Sequence, residues 1–207
     1  MKKITILTVI FLSMYSCFAL GFSERVLEEN KLASKNVLFI SAYSPSFETF
    51  FNQVDGIKSV FDEKNITLDI EFMDSKRFYT PENMKHFKDS ISYKLKNSAP
   101  YDLIIVGDDN ALNFVVDNKN LFDGLPIIFL GINDVDFAKE VSADRNITGI
   151  YESVSLKGTI DLARTLTPNA NRVVALFDTT PTSNAIRTQY SVTPSRSKRA
   201  YQSFLKT

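Results

Sequence analysis

The chain contains one cysteine, one histidine, no tryptophan and only seven glycines among 207 residues. Cys17 lies within the first 21 residues, so a chain cleaved after Gly21 keeps no thiol. Such a chain has no disulfide, thiolate metal site or cysteine nucleophile. The single histidine, His86, stands between Lys85 and Lys88 in a helix-period stretch and reads as a surface residue, which leaves zinc chemistry and a Ser-His-Asp triad without support. The glycines include no G-x-G pair and none precedes Lys-Ser or Lys-Thr, so the dinucleotide fingerprint and the P-loop are both absent. Net charge is absent too, with 24 basic against 24 acidic residues. Seven of the basic ones, Lys2, Lys3, Arg187, Arg196, Lys198, Arg199 and Lys206, lie at the two ends; removing them leaves 17 against 24. The body is mildly acidic, which argues against a nucleic-acid role needing phosphate neutralisation. What remains, 44% apolar and 23% charged residues, is ordinary globular composition.

Lys2 and Lys3 precede a largely apolar run from Ile4 to Leu12 and then small or weakly polar residues up to Gly21. This is the layout of a secretory signal peptide, too short for a comfortable membrane span of ~20 residues. Residues 1–21 are therefore expected to be an export signal, residues 22–35 a linker, and the mature protein periplasmic. An alternative makes Cys17 a lipid anchor, although Tyr15 is bulky for that signal.

Beyond Asn36, apolar runs alternate with helix-period segments. Strands are expected at Val37–Ile40, Ile66–Phe72, Leu103–Val106, Pro126–Leu130, Ile147–Tyr151 and Arg172–Phe177. Ser44 followed by Pro45 predicts a helix start, with Phe47, Phe50, Phe51, Val54, Ile57, Val60 and Phe61 on its buried face. Thr80-Pro81 predicts another, with Met84, Phe87, Ile91 and Leu95 inward. Helices are also expected over Ala111–Val116 and Ser155–Leu166. Strands buried on both faces and separated by helices imply a parallel, three-layer α/β sheet with right-handed crossovers.

Ligands of open parallel sheets bind outside the carboxyl ends of the strands. Ser41, Tyr43 and Ser44 follow the first strand, Asp74 the second, Asp108, Asp109 and Asn110 the third, and Asn133 and Asp134 the fourth. Each polar residue could instead cap a helix. Their concentration with an aromatic at one rim suits a small polar solute. The adjacent aspartates also resemble the magnesium pocket of receiver domains, but follow the third strand rather than the first. A small exported α/β hydrolase or phosphatase using these aspartates with Mg²⁺ is the alternative reading.

Four blocks carry a resemblance: Val37 to Phe47, Glu71 to Arg77, Tyr101 to Leu112 and Pro126 to Asp134. In this order and spacing the chain resembles ABC-transporter substrate-binding-like sensor domains, which resemble type I periplasmic binding proteins and precede bacterial histidine kinases and diguanylate cyclases. The resemblance implies a two-lobed, non-catalytic clamp without cofactor or metal. It implies an N-terminal lobe over residues 36–150 and the start of a second over 151–186. It places ligand contacts at Tyr43, Ser44, Asp108, Asp109, Asn110, Gly131 and Asn133, and at Tyr151 and Glu152 on the crossover. The implied partners are a small polar solute and a membrane sensor kinase, cyclase or transporter. The second lobe is expected to be incomplete, as in a truncated homologue, and residues 187–207 to be a basic tail with little order. Exposed apolar surface beside that lobe would favour docking on a partner.

Overall fold

The computed structural model describes residues 34–61, 65–122, 124–170 and 172–192. The expected export signal and most of the linker lie outside the described residues. Five strands form one all-parallel sheet: β1 (Lys35–Ser41), β2 (Ile66–Phe72), β3 (Leu103–Gly107), β4 (Ile127–Ile132) and β5 (Ile147–Tyr151), in the order β2-β1-β3-β4-β5. The helices between and after them are α1 (Phe50–Phe61), α2 (Pro81–Asn97), α3 (Asp109–Asp117), α4 (Val135–Val141), α5 (Leu156–Leu166) and α6 (Pro181–Val192). No described helix is long and apolar enough to cross a membrane.

Alternation along the strands builds two cores. Leu38, Ile40, Ile104 and Val106 face one side, where Phe87 and Ile91 of α2, Leu112 and Val115 of α3 and Ala138 of α4 cover them. Val37, Phe39 and Ile105 face the other, under Phe50 and Val54 of α1. Continuous apolar runs are what such doubly covered strands require. β2, with its alternating Ile66 to Phe72, lies at the edge, as its pattern predicts. At the other edge β5 passes close to β4: a Cβ on Gly149 would stand 2.1 Å from the Phe129 carbonyl oxygen, so only glycine fits that approach. Thr80 caps α2 as its sequence predicts, accepting from the Asn83 amide at 3.2 Å.

Three expectations change. First, α1 begins at Phe50 rather than at Pro45. Residues 45–49 form turns instead, with Phe47 N bonded to Ser44 O and Phe50 N to Phe47 O, and the Phe47 ring packs 4.3 Å from that of Tyr43. Phe51 and Val60 are consequently exposed, since neither can share a face with Phe50 and Val54. Second, Arg172–Phe177 forms no strand. Its composition suits one, but a strand needs a ladder partner, and none of the described residues pairs with it. Third, α6 reaches Val192, into the stretch read as tail; residues 193–207 lie outside the described residues. α5 buries no residue, and Leu162, Leu166, Val174 and Leu176 are all more than half exposed.

Candidate functional site

With this strand order the chain leaves β1 toward β2 and β3 toward β4, in opposite directions, so a crevice opens between the carboxyl ends of β1 and β3. Backbone bonds carry the sheet into the loops that rim it: Ala42 N to Gly107 O, Met73 N to Ser41 O, Asp108 N to Leu130 O and Glu152 N to Ile132 O. Tyr43, Ser44, Asp108, Asp109, Asn110 and Asn133 thereby gather at one end of the sheet, each at most 8% exposed.

Asp108 and Asp109 are neighbours with different tasks. Asp108 has φ 72° and ψ 163°, a region almost restricted to glycine and costing about 1–3 kcal/mol for other residues. It occupies the N-cap position of α3 yet makes no capping bond. Its carboxyl instead accepts from Gln53 Nε2 of α1 at 3.2 Å and faces Gly131. That glycine has φ 70°, forms the register shift in β4, and would bring a Cβ to 3.3 Å from Asp108 Oδ1. Burial, reinforced by Asp109 and Glu152 and opposed by Gln53 and Lys76, pushes the Asp108 carboxyl up to about 7.

Asp109 is 2% exposed, and its carboxylate ties three segments together. Oδ1 accepts from Asn133 N at 2.8 Å and Asp134 N at 3.1 Å; Oδ2 accepts from Thr182 Oγ1 of α6 at 2.6 Å and Asn133 Nδ2 at 3.2 Å. All four acceptor positions of a carboxylate are thus filled. Of the residues weighed as helix caps, Asp134 is one, accepting from Phe137 N at 3.0 Å; Ser44 bonds Ser46 instead. Gln189 of α6 adds a bond to the Asn133 carbonyl at 2.9 Å.

Across the crevice Asn110 Nδ2 donates to Ser75 Oγ at 2.9 Å, and Ser75 Oγ donates to Ala42 O at 2.7 Å. The Ser75 proton is therefore committed, which fixes the Asn110 amide with Oδ1 turned away; that buried oxygen has no partner among the described residues. Lys76 Nζ lies over the rings of Tyr43 and Phe47, at 5.3 and 5.7 Å from their centroids. Burial and Asp108 push the Tyr43 hydroxyl up to about 12, against the opposing hydrogen bond with Thr182. Glu152 contributes charge to this group but is itself exposed. Tyr151 stands apart, its ring 5.9 Å from Lys139 Nζ.

Gln53, Ser75, Lys76, Thr182 and Gln189 are absent from the sequence-predicted set. Gln53 carried a signal, a polar residue within the apolar stripe of α1. Thr182 lies in the Thr179 to Asn184 cluster, which read only as a helix start. Among the described residues no group of three or more His, Cys, Asp or Glu is arranged to hold a metal ion. A depression of about 320 Å³ lined by Lys119, Phe122, Asp144 and Ile147 lies at the other end of the sheet, by the amino ends of β4 and β5.

No protein-family model and no curated protein matches the chain. A solved structure that does match is the ligand-free, open structure of CD0873, a substrate binding protein with adhesive properties from Clostridium difficile. The TM-score is 0.52 at 14% identity, over 84% of this chain and 58% of that one. The chain spans less than two thirds of that protein's length. The likeness shows the fold, an α/β lobe with a parallel sheet flanked by helices, as in a substrate-binding protein.

Proposed function

We propose that the chain is a non-catalytic, solute-binding module of the extracytoplasmic sensor type. It is exported by residues 1–21 to the periplasm, and residues 36–150 form one lobe of a clamp whose second lobe starts at residue 151. The observation that carries the reading is the convergence of Tyr43, Asp108, Asn110 and Asn133 on the β1/β3 crevice of a substrate-binding-protein fold. In this reading Asp108 faces the solute and Asp109 braces the rim, while Ser44, Gly131 and Glu152 complete the surroundings. A membrane kinase, cyclase or transporter receives the signal, and the exposed leucines of α5 support docking on such a partner.

The phosphatase reading has less support. Mg²⁺ held by the aspartate pair would need free carboxylate oxygens, whereas those of Asp109 are filled by four protein donors.

A binding module should melt later with its solute. At a hundredfold excess over Kd the stabilisation is about 2.7 kcal/mol, which for a chain of this length is a rise on the order of 5–10 °C. Screening the folded protein against amino acids, amines and sugars should give a saturable rise with at least one class. A flat response to all three contradicts the reading.

A further inference from the structure

Five side chains around the crevice donate to protein acceptors: Gln53 to Asp108, Ser75 to Ala42, Asn110 to Ser75, and both Asn133 and Thr182 to Asp109. The acceptors are not matched in the same way. Asn110 Oδ1 is buried without a partner among the described residues, in a residue 8% exposed. Among the described residues no donor reaches Asp108 Oδ1 or the Glu152 carboxylate. A buried acceptor left unpaired costs about 1–3 kcal/mol, a cost that an added donor would relieve.

Charge points the same way. Asp108, Asp109 and Glu152 act on the crevice, and the cation that opposes them at Asp108, Lys76, lies over the Tyr43 and Phe47 rings. The amides in the first turn of α3 favour an anion by roughly half a unit charge, less than the full charge of a single carboxylate in that same turn.

Resting on the solute-binding reading above, we propose that the crevice selects small cationic solutes rich in N–H donors, of the primary-amine or amidinium class. It discriminates against carboxylates and phosphates. One N–H group is taken by Asn110 Oδ1, and the positive charge by Asp108 with Glu152 at the rim.

The test measures melting temperature and titration calorimetry on the full chain with putrescine, agmatine, glucose, succinate and inorganic phosphate at matched ionic strength. Putrescine or agmatine should give a saturable rise, and succinate and phosphate none. Asn110→Ala should weaken amine binding about tenfold or more, the value of a hydrogen bond to a charged donor. Because Asn110 is buried, Glu152→Gln provides a second, exposed variant, expected to weaken amines several-fold without loss of folding. A response to glucose, succinate or phosphate but not to amines overturns the donor-rich specificity and leaves solute binding standing. Amine affinity unchanged in both variants also overturns it. Silence from all five probes tells against the crevice as a solute site and overturns both readings.

Discussion

Asp108→Asn should stabilise the protein at pH 8 by on the order of 4 kcal/mol and have little effect on stability at pH 4. The Asp108 carboxyl is raised from 3.8 to about 7. Between those values the folded chain holds a proton that the unfolded chain has released. The unfolded state therefore binds fewer protons, and stability falls as pH rises through this window. Each tenfold difference in proton affinity is worth about 1.4 kcal/mol, which gives the stated size and a melting shift on the order of 10 °C. The groups that set this environment are Gln53 of α1, Lys76 of the β2–α2 loop, Asp109 beside it and Glu152 after β5. Asparagine keeps an oxygen for Gln53 Nε2 and removes the charge. Chemical denaturation of both proteins from pH 4 to 8 should give curves that nearly meet at the acid end, separate up to about pH 7 and run parallel above it. Curves that stay parallel between pH 4 and about 7 would contradict the assignment. The same substitution should weaken solute binding, so stability and binding move in opposite directions.

Asp109→Ala should do the reverse, lowering stability by about 3–5 kcal/mol. The carboxylate accepts from two backbone amides, an asparagine amide and a threonine hydroxyl, in two segments outside its own helix. Its loss leaves buried donors without partners, each costing about 1–3 kcal/mol. Beyond the lower melting temperature, hydrogen exchange should accelerate first at Asn133 and Asp134, whose amides lose their acceptor, before it does so at Val54 in the distant α1 core. A variant within about 1 kcal/mol of the parent, with unchanged exchange at those two amides, would show that the bridge has little weight.

The contrast between these adjacent aspartates marks where the sequence stops being legible. Runs such as Leu103 to Val106 announced buried parallel strands because burial on both faces leaves no room for polar positions. The alternation of Ile66 to Phe72 announced an edge. The placement of Asp108, Asp109 and Asn133 at strand ends follows from the same runs. The Asp108 carboxyl, however, meets Gly131 and Gln53, distant in the chain, and no local pattern reports its positive φ. Ser44-Pro45 carried the composition of a helix start, but residues 45–49 form turns in which the Phe47 ring packs on that of Tyr43. Arg172 to Phe177 has strand composition without a neighbour to pair with. Thr182 and Gln189 reach the rim from α6, 73 residues from Asp109 in one case and 56 from Asn133 in the other. Such distances lie beyond anything periodicity can express.

The most direct test of the central claim is to record which backbone amides shift in the NMR spectrum when agmatine, and in parallel glucose, is titrated into the protein. The account predicts that the perturbed amides cluster at Tyr43, Asp108, Asn110 and Gly131, around the carboxyl ends of β1, β3 and β4. Perturbations centred instead on Lys119, Phe122 and Ile147, at the opposite end of the sheet, would contradict it.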